Sequence, residues 1–226
     1  QRRIERDGAV VPESSFDYLT DFFADEAVRR VRQRDVSRPL FLVLAATAPH
    51  TPMHGRPDLV ALYATRIPEE RRRTYAAMVT ALDEGVGRLV DALRAEEMLD
   101  DTLLVFLSDN GGATNNASDN GPWRGQQGSQ WEGGQRVPFL VHWPARLAPG
   151  RYDGLVTSLD LAATAVAAAG SDASTGLDGL DLAPFLARER ADAPRDTLFW
   201  RRDVAAAVRV GDWKLVRVRE EDGSFR

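Results

Sequence analysis

The chain has 226 residues, of which 43% are hydrophobic and 28% charged, enough to bury one core of ordinary size; disordered, collagen-like and multidomain classes are excluded. A formal charge of −5 argues against a phosphate-backbone binder, so no nucleic-acid partner is expected. The absence of cysteine removes disulfides, thiolate metal sites and thiol nucleophiles, and Lys214 is the only lysine.

The charged opening, residues 1–13, reads as a loop. From Ser15, Phe16, Leu19, Phe23, Ala27 and Val31 recur three to four apart, which predicts an amphipathic helix ending near Arg34. Residues 39–46 form a continuous apolar run, the pattern of a strand covered on both faces. It runs into Ala48-Pro-His-Thr-Pro52, a proline-pinned loop. A second helix is predicted over residues 69–97, with Met78, Leu82, Val86, Leu89 and Leu93 on one face and two glutamates at its positive end. Residues 102–107 are a second buried strand, ended by Ser108-Asp-Asn-Gly-Gly112.

A loop rich in Gly, Asn, Ser and Gln follows over residues 113–135, longer than ordinary connections and therefore a candidate for function. Residues 137–143 predict a third strand, and residues 158–169 an alanine-rich helix with cap candidates at Thr157 and Ser158. Residues 198–200, 205–210 and 213–218 read as short antiparallel strands. This order implies an α/β layer over residues 1–190 and a small antiparallel addition over 191–226. The longest apolar runs fall short of the ~18 residues a membrane-spanning helix needs, and no charged-then-apolar leader opens the chain, so it is expected to be soluble.

Ligands of open α/β sheets collect beyond the carboxyl ends of strands. Asp109 and Asn110 sit there and offer hard oxygen donors suited to Ca²⁺ or Mg²⁺, although the same residues are also common turn formers, and two ligands cannot complete such a site. His50, held by prolines, is a candidate general acid or anion donor, or else a surface histidine. Arg124 and Arg136, in a glycine-dense loop, can present guanidinium forks to an oxyanion, with Glu132 between them to orient them. His54 reads as exposed, His142 as structural, and the charge runs 69–73 and 217–222 as solvated surface. Triad, Walker and zinc-protease templates are absent.

Several stretches together resemble the sulfatase family of the alkaline-phosphatase-like superfamily. They are Ala48-Pro-His-Thr-Pro52, Ala77-Met78 with Leu82-Asp-Glu-Gly-Val-Gly87, Ser108-Asp-Asn-Gly-Gly112, Arg124-Gly125 with Glu132-Gly-Gly134 and Arg136-Val-Pro138, and Gly211-Asp-Trp-Lys-Leu215, in the family's order. The resemblance implies a partial alkaline-phosphatase-like mixed sheet with flanking helices, and a hydrolase of sulfate esters acting on a sulfated small molecule or carbohydrate. It implies a formylglycine nucleophile, made in a Cys/Ser-x-Pro-Ser-Arg motif, and a divalent cation, usually Ca²⁺. Asp109 and Asn110 would be metal ligands, His50 would contact the sulfate or protonate the leaving oxygen, and Arg124 and Arg136 would bind substrate.

Three departures stand out. The family's N-terminal half, with its paired aspartates and formylglycine motif, is not in this sequence, so the chain alone is expected to be inactive. Where the family has a lysine in its glycine-rich loop, this chain has Gln127. The family's usual ending after the Trp-Lys-Leu strand is cut off at Arg226. Two other readings follow: a phosphodiester or phosphonate hydrolase of the superfamily, against which Asn110 argues because those relatives commonly carry histidine there, and a non-catalytic paralogue binding anionic glycans through Arg124, Arg136, Trp123 and Trp131. Oligomeric state and cellular location are open.

Overall fold

Small residues let two helices approach closely, and that pairing organises the first part of the chain. In the computed structural model, which describes residues 3–172 and 176–218, α1 (Leu19–Arg32) buries Thr20, Ala24, Ala27 and Val31. The long α3 (Glu70–Ala95) buries Ala77, Met78, Ala81, Gly85, Leu89, Ala92 and Leu93. A methyl group on Gly85 would lie 2.9 Å from the Cβ of Ala24, so glycine sets the closest approach of the pair. Of the larger residues in the predicted stripes, Val31, Met78, Leu89 and Leu93 are buried, whereas Phe16, Leu19, Phe23, Leu82 and Val86 are only half-buried. Alanine and glycine set the closest approach, and the four larger buried residues lie on the same two helices.

Residues 1–98 and 115–117 form one unit and the remainder a second. In the first, the opening expected as a loop contains a hairpin, β1 (Glu5–Arg6) paired antiparallel with β2 (Ala9–Val10). Asp7 and Gly8 turn it with φ of 52° and 83°, the geometry an Asp-Gly pair favours. The short α2 (Pro57–Leu62) packs Leu59 against Ala77 and Ala81. Glu69 caps α3 by accepting from the backbone N–H groups of Arg71 and Arg72, as its place at the helix start requires. The expected strand over 39–46 is not formed. That stretch has no ladder partner among the described residues, and Phe41 and Val43 are 78% and 69% exposed. Apolarity marks a segment for burial, but a strand also needs neighbours to take its backbone hydrogen bonds.

In the second unit, β3 (Leu104–Leu107) pairs antiparallel with β4 (Phe139–His142), Leu107 opposite Phe139. The one-turn helix α4 (Glu132–Gln135) precedes β4, and the apolar side chains of the two strands pack with Trp143, with Leu161 of α5 (Asp160–Ala168) and with Leu182 at the start of α6 (Ala183–Leu186). The expected caps at Thr157 and Ser158 are not used. Asp160, fully buried in the first turn of α5, accepts instead from the N–H groups of Thr157 (2.8 Å) and Leu180 (2.9 Å) and from both terminal nitrogens of Arg195. A buried carboxylate persists only when so fully paired. The chain's last described part is the three-stranded sheet β5 (Thr197–Arg202), β6 (Ala205–Val210) and β7 (Trp213–Arg217). Every ladder among the described residues is antiparallel. The end of the charge run at 217–222 lies outside the described residues.

Candidate active site

Ser108, Asp109 and Asn110 leave β3 at its carboxyl end, and the fold of the next two dozen residues is built around them. Asp109 Oδ1 accepts from the backbone N–H of Asn110 (2.9 Å) and from its side-chain amide (3.0 Å), which turns the amide oxygen of Asn110 outward. Into that oxygen Gln127 donates through Nε2 at 3.3 Å. Thus Asp109, Asn110 and Gln127, chosen from sequence position and resemblance, form one corner.

The backbone explains why the distant Gln127 arrives there. Gly111 N–H donates to the Gly134 carbonyl (3.0 Å) and Gln127 N–H to the Gly112 carbonyl (3.2 Å). A methyl group on Gly111 would lie 1.7 Å from the Gly133 oxygen, so this contact needs glycine. Asn120 locks the other side, accepting from Gly112 N–H and donating to its carbonyl, both at 2.8 Å. The loop is also held by the C-terminal sheet: Arg202 donates to the Gly128 carbonyl (2.9 Å), and Lys214 pairs with Glu132 at 2.7 Å while lying 4.3 Å from the centre of the Trp200 ring.

Glu132 therefore does not serve chiefly to orient Arg124 and Arg136. Its close partner is Lys214; Arg209 and Arg136 stand at 3.7 and 3.9 Å. Arg124 instead stacks on Trp131 (4.0 Å) and Arg136 on Trp123 (4.5 Å), and both arginines are exposed. Sequence reasoning missed Asn120, Arg202 and the Lys214 pairing. The first was legible as one of many Asn and Gln in a loop too long to be idle; the other two join strands to a loop more than 70 positions away.

His50 lies in the first unit, exposed, with Nδ1 2.6 Å from the Thr51 carbonyl. A carbonyl can only accept, so the proton sits on Nδ1 and Nε2 is left for a ligand. The side chain of buried Asn116 donates to the neighbouring Pro49 carbonyl at 3.1 Å and holds this loop within the same unit. His54 is exposed, and its carbonyl accepts from Tyr18. His142 is also exposed, on β4.

As a cation site, the corner passes a test of chemistry and is short in number. A carboxylate and an amide oxygen are the right donors for Ca²⁺ or Mg²⁺, and a Ca²⁺ shell takes about six to eight. Among the described residues no cluster of three or more His, Asp or Glu is placed to hold a metal.

The chain is mixed α/β, with acid and amide groups at a strand end and a rigid glycine loop, and its fold is that of the alkaline-phosphatase-like sulfatases on which it superposes. Its structure superposes on that of Ps i-CgsB, solved in complex with k-i-k-neocarrahexaose, with a TM-score of 0.87 and 36% identity, over all of this chain and 51% of that one. The family model described as Sulfatase matches residues 8–171, and the chain belongs to the sulfatase family. It is 35% identical to a steryl-sulfatase of Mus musculus over 202 residues, covering 84% of this chain and 31% of that protein. It is 29% identical to an arylsulfatase of Hemicentrotus pulcherrimus over 213 residues, covering 90% of this chain and 37% of that one. The chain thus spans about a third of these curated relatives' length.

Proposed function

We propose that the whole protein to which this chain belongs hydrolyses sulfate esters, and that this chain supplies the half of its active site that binds one side of a divalent cation and the sulfate. The observation that carries the reading is the corner beyond β3, where Gln127 reaches Asn110 beside Asp109 in a chain of the sulfatase family. On this reading residues 1–190 are the C-terminal part of the catalytic α/β domain and 191–226 a small antiparallel subdomain, whose described strands brace the glycine loop through Arg202 and Lys214.

Asp109 and Asn110 would hold the cation, Ca²⁺ or Mg²⁺, through their side-chain oxygens, with further ligands from elsewhere in the protein. When bound, the cation withdraws charge from sulfate oxygens, and the formylglycine that the family resemblance implies, carried outside this chain, supplies the nucleophile. Gln127 donates a neutral hydrogen bond at this corner, and the exposed guanidiniums of Arg124 and Arg136 bind anionic groups of the substrate. His50, with its proton on Nδ1 directed to Thr51, carries a second proton on Nε2 when cationic and delivers it to the leaving oxygen. The substrate is a sulfated carbohydrate, a reading supported by the likeness to Ps i-CgsB with its bound neocarrahexaose.

The test is a rate comparison of matched aryl sulfate and aryl phosphate esters with the complete gene product, before and after chelation. Faster sulfate release that chelation abolishes is expected. Preferential phosphate release, or full activity after chelation, contradicts the proposal.

A further inference from the structure

The first unit contains an open cleft of ≈ 540 Å³ between the residues that follow His50 and the first turn of α3. The size falls in the range of about 300–1,000 Å³ typical of small-ligand sites. One wall is Thr51, Pro52 and Met53; the other carries Glu70, Arg71 and Thr74, with Glu69 behind. Several polar groups here are already committed. Glu69 caps α3 through its carboxylate, and the Thr74 hydroxyl donates to the Glu70 carbonyl at 3.0 Å. Of three consecutive arginines, Arg72 donates to the Ala117 carbonyl (2.6 Å) and stacks on Tyr75, and Arg73 points to the Ile67 carbonyl. Arg71 lines the cleft. Among the described residues, neither its guanidinium, nor the Glu70 carboxylate, nor the Thr51 hydroxyl has a hydrogen-bond or ion-pair partner.

This leaves a strong donor and a strong acceptor side by side across from an apolar proline and methionine. Such a set suits a pyranose: the carboxylate accepts from one hydroxyl, the guanidinium donates to its neighbour or to the ring oxygen, and the C–H face rests on Pro52 and Met53. An aromatic leaving group would use neither charge. The cleft also has a place relative to the chemistry. His50, assigned above to the leaving oxygen, bonds to Thr51 through Nδ1, and Thr51 is the first residue of the cleft wall. Residues 51–53 follow His50 directly in the chain, so the cleft begins one residue from the group assigned to the leaving oxygen.

We propose that this cleft is the subsite for the alcohol half of the ester and selects a saccharide, with Glu70 and Arg71 as its specificity-determining residues. The proposal rests on the sulfatase reading and on the role of His50 in it. In the complete gene product, Arg71→Ala and Glu70→Ala are compared on a sulfated galactan oligosaccharide and on 4-nitrophenyl sulfate. Each substitution is expected to lower kcat/KM for the saccharide relative to the aryl ester by about tenfold or more, the effect of one charge-assisted hydrogen bond. An unchanged ratio, or equal losses on both esters, overturns the subsite. If the unsubstituted protein releases sulfate from neither ester, the sulfatase reading fails, and the subsite is judged by binding. The complete gene product is then titrated with the unsulfated oligosaccharide and followed by amide NMR. Shifts at residues 51–53 and 70–74 that Arg71→Ala removes support the cleft as a saccharide site, and their absence overturns it.

Discussion

At the scale of single residues, Gln127 is the most informative position. Its amide reaches Asn110 Oδ1 at 3.3 Å, and at the loop position where the family resemblance implies a lysine it brings no charge. A lysine there would exchange a neutral hydrogen bond for a charge-assisted one, a difference on the order of 1.5 kcal/mol. Gln127→Lys in the complete protein is therefore expected to raise kcat/KM for a sulfate ester by about tenfold, read by sulfate release. No gain would favour the reading in which the loop binds anionic glycans without turning them over. The adjacency of Asp109 and Asn110 was legible because they follow a buried run. Gln127, seventeen positions on, was legible only through the resemblance, because no periodicity ties a loop glutamine to a strand end.

At the scale of elements, the glycine-rich loop is braced from two directions. Backbone bonds to Gly111 and Gly112 fix it to β3, and the Lys214–Glu132 and Arg202–Gly128 contacts fix it to the C-terminal sheet. Lys214 is only 11% exposed, and its removal leaves Glu132 with Arg209 and Arg136, both beyond hydrogen-bond distance. Lys214→Met is expected to speed amide exchange over residues 124–134 and to lower kcat more than it raises KM, while Lys214→Arg restores most of the loss. Equal behaviour of the two variants would show that the lysine only fills space. None of this was readable beforehand, since partners 82 positions apart leave no local pattern. The helices were, because their spacing is local; which residues meet was not, because Ala24 and Gly85 give no hydrophobic signal despite forming the contact.

At the scale of the molecule, the family is established over residues 8–171, yet the chain spans only 51% of Ps i-CgsB. The apolar stretch 39–46 has the composition of a segment buried on both faces, yet among the described residues it joins no ladder and Phe41 and Val43 are exposed. The corner at Asp109, Asn110 and Gln127 has a similar character, with sound donor chemistry and too few donors. Asp109→Ala in the complete gene product tests directly whether that corner works on sulfate. Sulfate release from a sulfated ester is expected to fall by about a hundredfold or more, as for loss of a group stabilising transition-state charge, with the circular dichroism spectrum unchanged. Release within about threefold of the unsubstituted rate would contradict the assignment of this corner to the active site.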